Sequence, residues 1–155
     1  MDDNKELTRA RNYASILLKV RARSEEELRF RLKEKNFSPA VINELVASFR
    51  ASGYLNDWDF ARAWVRERVN KPLGFTRLEF ELKEKGIAKA IIDDVLAQAK
   101  KDYPERKTID SLIEKKFTKI LNKLIDDKTR HKIQGYLLGR GFDKDAVIEA
   151  VEELK

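Results

Sequence analysis

Apolar residues recur along this chain at spacings of three and four rather than two. Leu28 with Leu32, Leu78 with Leu82 and Ile133 with Leu137 are i, i+4 pairs, and Val41, Ile42, Leu45, Val46 and Phe49 keep the same period. Val, Ile and Thr nowhere alternate with polar residues over a strand's length. Only three prolines and six glycines punctuate 155 residues, so the pattern predicts helix throughout.

The pattern also repeats. Residues 24–46 read SEEELRFRLKEKNFSPAVINELV and residues 74–96 read GFTRLEFELKEKGIAKAIIDDVL, with L-x-F-x-L-K-E-K recurring intact. A weaker third copy spans residues 129–151, TRHKIQGYLLGRGFDKDAVIEAV. Each copy predicts a short helix that stops at Asn36, Gly86 or Gly141, residue types that tolerate the left-handed conformation of a helix end. One apolar residue follows (Phe37, Ile87, Phe142), and a second helix starts at once. Ser38 before Pro39 is an N-cap followed by a first-turn proline, Asp143 caps the third copy, and Ser24 with Glu27 has capping-box spacing. A further helical stretch precedes each copy, over 7–20, 57–69 and about 105–125, and is needed to close each small core. The expected fold is all-α, with three tandem three-helix, helix-turn-helix-like repeats over residues 1–54, 55–102 and 103–155.

Composition agrees with small tandem units. The charged share is 39% against 42% hydrophobic, well above the roughly 25% charge of ordinary globular domains, as expected where each core is thin. The chain has no cysteine, which excludes disulfides and thiolate metal sites, and its one histidine, His131, sits between Arg130 and Lys132 as a surface residue would. No phosphate-binding loop, dinucleotide fingerprint or nucleophile elbow occurs, so neither catalysis nor a cofactor is expected. The paired acids at Glu25 to Glu27, Asp93 with Asp94 and Asp126 with Asp127 suit helix first turns and polar faces better than a metal. No apolar run reaches the roughly 20 residues of a membrane span, and residues 1–6 resemble no leader, so the expected location is the cytoplasm.

Positive charge is concentrated. Arg9, Arg11, Lys19, Arg21 and Arg23 occur with no acid between residues 7 and 24, and Arg62, Arg66 and Arg68 repeat the layout, diluted by Asp59 and Glu67. The plain reading is a solvated face; the functional one is a surface for phosphate or an acidic partner. Phe60, Ala61, Trp64 and Val65 form a core stripe, from which Trp58 departs as a candidate exposed contact.

These residues resemble the RecX family of bacterial regulatory proteins. The resemblance is carried by Ser24, Glu27, Leu28, Leu32 and Lys35, by Gly53, Tyr54, Leu55, Asn56, Asp57, Phe60 and Ala61, and by Trp64, Val65 and Arg68. It continues through Gly74, Arg77, Leu78, Glu81, Leu82, Lys85, Gly86 and Ile87 to Tyr136, Leu137, Arg140, Gly141 and Phe142. Asn36 departs from the family's usual glycine, and the Lys-rich stretch 105–128 matches loosely. The resemblance implies an elongated, curved, monomeric array that binds the RecA recombinase or its filament on DNA and mainly inhibits strand exchange, ATP hydrolysis and coprotease activity. It adds Arg77 and Arg140 to the candidate contacts. It gives Gly53, Tyr54, Leu55, Asp57, Phe60, Gly74, Leu78, Leu82, Gly86 and Gly141 structural roles. The alternative is direct DNA binding through the basic faces, weak and non-specific. The helices after each turn carry Asn43 and Glu44, or Asp93 and Asp94, which argues against base readout.

Overall fold

The computed structural model describes residues 2–69 and 71–155, and among them finds nine α-helices and no strand. They are α1 (Asp2–Val20), α2 (Glu25–Glu34), α3 (Pro39–Ser52), α4 (Asp57–Arg68), α5 (Phe75–Glu84), α6 (Lys89–Asp102), α7 (Glu105–Leu121), α8 (Asp127–Gly139) and α9 (Lys144–Glu152). The apolar stripes close three separate cores, one built around Leu28, Leu32 and Leu45, one around Leu78, Leu82 and Ile92, and one around Ile109, Ile133 and Leu137. Leu55, only 2% exposed, completes the first of these. The accessible surface is 10281 Å². A compact monomer of the same 18.1 kDa would expose about 8,100 Å². The excess is the signature of an elongated array.

The same turn joins the second and third helices of every unit. The Phe37, Ile87 and Phe142 amides donate to Leu32, Leu82 and Leu137 carbonyls at 3.2, 3.1 and 3.3 Å, closing each helix end. The residue before each has positive φ: Asn36 at 63°, Gly86 at 75° and Gly141 at 84°. Ser24 forms both halves of the capping box with Glu27, Ser38 accepts from the Val41 amide, and Asp143 accepts from Ala146.

Two joints link the units, and they are built alike. At the first, Ser24 Oγ donates to the Lys85 carbonyl at 2.7 Å, and the Asp57 carboxylate accepts from the Glu25 amide at 2.9 Å. At the second, the Gly74 and Thr76 amides donate to the Arg140 and Gly141 carbonyls at 2.9 and 3.1 Å, and Glu105 accepts from the Phe75 amide. The tip of α8 thus abuts the start of α5, and the tip of α5 abuts the start of α2. Each contact sets a negative helix end on a positive one. Helix α5 carries no side-chain cap of its own because three of its free amides are satisfied by the third unit. Glycine at 74 is required by approach rather than by φ: a Cβ there would collide with the Gly141 backbone. A Cβ on Gly141 would meet Arg77, and one on Gly86 would meet Glu26. The first turn borders a groove lined by Glu6, Arg9 and Tyr13 of its own unit, and there Asn36 is accommodated where the other two turns need glycine.

Candidate interaction surface

The grooves between the first and third helices of units one and two gather the basic residues. In the first, Arg11, Lys19, Leu18, Phe49 and Tyr54 line a cleft of about 540 Å³. In the second, Arg62, Arg66, Lys101, Trp58 and Tyr103 line one of about 550 Å³, together with the carboxylates of Asp94 and Asp102. The two are equivalent: Ala10 and Ala14 hold the core positions of Ala61 and Val65, which places Arg11 opposite Arg62. Each of these guanidiniums lies against an aromatic ring, Arg11 at 5.8 Å from the Phe49 centroid and Arg62 at 5.6 Å from that of Trp58. Tyr54, 74% exposed, and Tyr103, 43% exposed, stand at the ends of the two grooves. Trp58 is half-buried against the second core with Arg62 over it, so it is partly wall and partly contact.

The remaining cations divide by what holds them. Arg9 is exposed within the first half of α1, beside Glu6, Tyr13 and Lys35. Arg21 is engaged by Glu27 at 2.5 Å. Arg68 grips Glu81 with two bonds, at 2.7 and 3.1 Å, while Arg77 adds a second cation at 3.5 Å. Arg23 is half-buried, and its Nε has no hydrogen-bond partner. Arg140 is spent on Tyr136, donating to its hydroxyl and lying 5.4 Å from its ring centroid. The acids that neutralise Arg21 and Arg68 lie on the helix that follows each, α2 and α5, where a search for local charge runs does not see them, while Arg77 pairs with Glu81 one turn along its own helix.

Glu27 and Glu81 are the electrostatic anchors. Burial alone would push the Glu81 carboxyl up, but hydrogen bonds from Arg68 and from Trp64 Nε1, at 2.8 Å, hold it below its ordinary value. Glu27 is held down in the same way against its own burial by Arg21 and the Ser24 amide. Asp57 and Glu105, at the joints, go the other way: burial raises both, and the amide hydrogen bonds offset only part of it.

Phe30 and Phe80 hold the same place in the repeated octapeptide, and both are 60% exposed. Gly135 stands at the equivalent position of unit three. Among the described residues no group of three His, Cys, Asp or Glu could hold a metal ion, no helix is long and apolar enough to cross a membrane, and His131 is exposed. The surface offers cations and aromatic edges in duplicate, suited to recognition.

Family models described as the first, second and third three-helix domains of RecX match residues 10–48, 56–96 and 104–151. The regulatory protein RecX of Haemophilus influenzae strain PittEE is 35% identical over 141 residues, covering 90% of this chain and 91% of that one. That of Prosthecochloris aestuarii is 30% identical over 154 residues, covering 99% and 95%. The crystal structure of RecX from Lactobacillus salivarius superposes with a TM-score of 0.87 over 97% of each chain at 23% identity, which speaks to the fold.

Proposed function

The chain belongs to the RecX family of regulatory proteins, and from that premise we propose that it is a non-enzymatic, monomeric, cytoplasmic regulator that binds RecA or the RecA–DNA filament and inhibits recombinase, ATPase and coprotease activity. The observation that carries the reading is repetition. Two successive units present a basic groove between their first and third helices with an arginine against an aromatic ring, Arg11 on Phe49 across the groove in one and Arg62 on Trp58 of its own helix in the other. A polymer of identical subunits offers the same site many times. Contacts that are weak singly add through effective concentration when both ends of a tandem array engage at once.

Within this reading Arg9, Arg11, Lys19, Arg23, Arg62 and Arg66 are the cations that meet acidic filament surface or phosphate, and the exposed Phe30 and Phe80 are apolar contacts. Arg21, Arg68, Arg77 and Arg140 act through the framework, because they are spent on Glu27, Glu81 and Tyr136, whereas Arg62 pairs only with the exposed Asp59, at 3.4 Å.

The test is the rate of RecA ATP hydrolysis on single-stranded DNA, with and without the protein. Inhibition is the expected result, weakened by roughly tenfold or more in R11E/R62E, whose targets are exposed and leave helicity by circular dichroism intact. Absence of inhibition and of any effect on strand exchange at excess protein overturns the proposal. Inhibition that survives R11E/R62E unchanged moves the contact to another face.

A further inference from the structure

The joint between units one and two shows what the tip of a second helix can hold. There the Lys85 carbonyl accepts from Ser24 Oγ at 2.7 Å, its ammonium pairs with Glu27 at 3.4 Å, and Asp57 accepts from the Glu25 amide at 2.9 Å. The same ammonium lies 5.3 Å from the Trp64 ring centroid. Seated on these groups is the first turn of α2, with serine at the N-cap, a free amide behind it and glutamate at the third helical position.

Unit one carries the same groups at its outer end. Lys35 closes the shared octapeptide as Lys85 does, and its ammonium lies 5.6 Å from the ring centroid of Tyr13, which is in register with Trp64 as Ala10 is with Ala61. Glu6 is in register with Asp57, and its Oε1 accepts from the Ser38 amide at 2.6 Å. Glu105, which stands at this place in unit three, accepts from the matching amide of Asp143 and, with the same oxygen, from the Phe75 amide of the unit before. Glu6 makes the first of these bonds and has the place of the second open. Lys35 and Asn36 are exposed where Lys85 and Gly86 are half-buried, and among the described residues no donor reaches the Lys35 carbonyl. A cleft of about 580 Å³ lies over them, bounded by Glu6, Tyr13, Lys35 and Asn36.

We propose that this end of unit one docks the start of a helix from another protein, one that opens with a capping box. Its N-cap serine or threonine donates to the Lys35 carbonyl, its first free amide donates to Glu6, and its glutamate at the third position pairs with the Lys35 ammonium. The negative end of α2 then faces the positive end of the incoming helix, as at both internal joints. A second copy of this chain does not supply the occupant. Among its described helix caps only Ser24 and Ser38 bear a hydroxyl; Ser24 is fully buried in the joint, and Ser38 is followed by Val41 at the third position. Asn36 narrows the fit further. A Cβ on Gly86 would meet the Glu26 side chain, so Asn36 selects glycine at the second position of the incoming helix. The site uses neither the Arg11 nor the Arg62 groove and does not rest on the RecA reading.

The probe is a synthetic peptide of residues 21–35 with Glu26→Gly, held helical by a lactam bridge in its last turns. It is titrated to millimolar concentration into the nitrogen-15-labelled full chain, and amide chemical shifts are followed. Shifts are expected at Glu6 and over residues 35–38. The Ser24→Ala peptide is expected to bind about fivefold more weakly, the worth of one hydrogen bond. Ser24→Asp still caps its own helix but has no proton to donate, and is expected to lose as much. In the protein Lys35→Gln, at an exposed position, is expected to weaken binding and to erase the advantage that the peptide's Glu27 holds over Glu27→Gln. The assignment is overturned by the absence of shifts over residues 35–38, by shifts centred on residues 85–87, where the peptide would be displacing α2 from its joint, or by the Ser24→Asp peptide binding as tightly as its parent.

Discussion

The Oε1 atom of Glu105 lies 3.2 Å from the backbone nitrogen of Phe75 and accepts its hydrogen bond, so a side chain of the third unit caps a helix of the second. Asp57 does the same for Glu25 one unit earlier. Both carboxylates are the first residues of their own helices, where they also face the positive end of α7 or α4.

Replacing Glu105 separates the charge from the cap. Glu105→Ala removes the acceptor and is expected to lower stability by about 1 kcal/mol, as loss of an N-cap does. Glu105→Gln keeps an acceptor without the buried charge and is expected to cost much less. Because burial raises this carboxyl above its unfolded value, the native state binds its proton more tightly, and the stability from this group grows as pH falls from neutrality toward the ordinary 4.5. The melting temperature of the wild type is therefore expected to gain on that of Glu105→Gln over that interval, by differential scanning calorimetry.

Glu81 predicts the opposite trend. Its folded value is depressed, so its contribution is complete above the ordinary 4.5 and is lost as pH falls through the folded value below it. Glu81→Ala strands the Trp64 N–H and the Arg68 guanidinium and is expected to cost about 1–3 kcal/mol near neutrality. In urea titrations the gap between wild type and variant should close on acidification; a gap that widens in acid contradicts the assignment.

Gly53→Ala and Gly141→Ala compare strain with strain plus collision. Both positions have φ near +80°, but a Cβ at Gly53 meets open space while one at Gly141 runs into Arg77. The first change is expected to cost about 1 kcal/mol and the second clearly more. Gly135→Ala, inside α8 with open space around it, is expected to stabilise by about 0.5–1 kcal/mol. Thermal melts of the three variants check the order.

Leu137→Ala tests whether the cores are separate. The side chain is fully buried in the third core alone, so a loss of about 2–5 kcal/mol is expected. Amide exchange should speed up through α7 to α9 while α1 to α3 keep their protection. Uniform loss of protection along the chain would show a single cooperative unit.

Local features of the fold could be read ahead of the structure because they depend on near neighbours. The box at Ser24 and Glu27, the cap at Ser38 and the turns at Asn36, Gly86 and Gly141 are all settled within four or five residues. The weak third copy hid more. Helix α8 begins at Asp127, before the position matching Ser24, and α7 bends at Phe117, where φ is −112°. The joints were invisible for a different reason: Gly74 and Gly141 serve one another across 67 residues, and no local pattern announces that one backbone will lie on another. Charge was misleading in the same way. The run from Arg9 to Arg23 looks uniform, yet only a fold can show that Arg21 is held by Glu27 while Arg11 and Lys19 share a groove with Tyr54.

Each core draws on one uninterrupted stretch of chain, from Ala10 to Leu55, from Phe60 to Ala99 and from Ile109 to Val151. On a ribosome adding about 5–20 residues per second, a stretch of that length emerges over several seconds. Helical units with contacts this local fold in microseconds to milliseconds. The first unit is therefore complete long before the last is translated, and the start of α2 waits as a formed surface onto which the tip of α5, and then α8 behind it, is laid in order of synthesis.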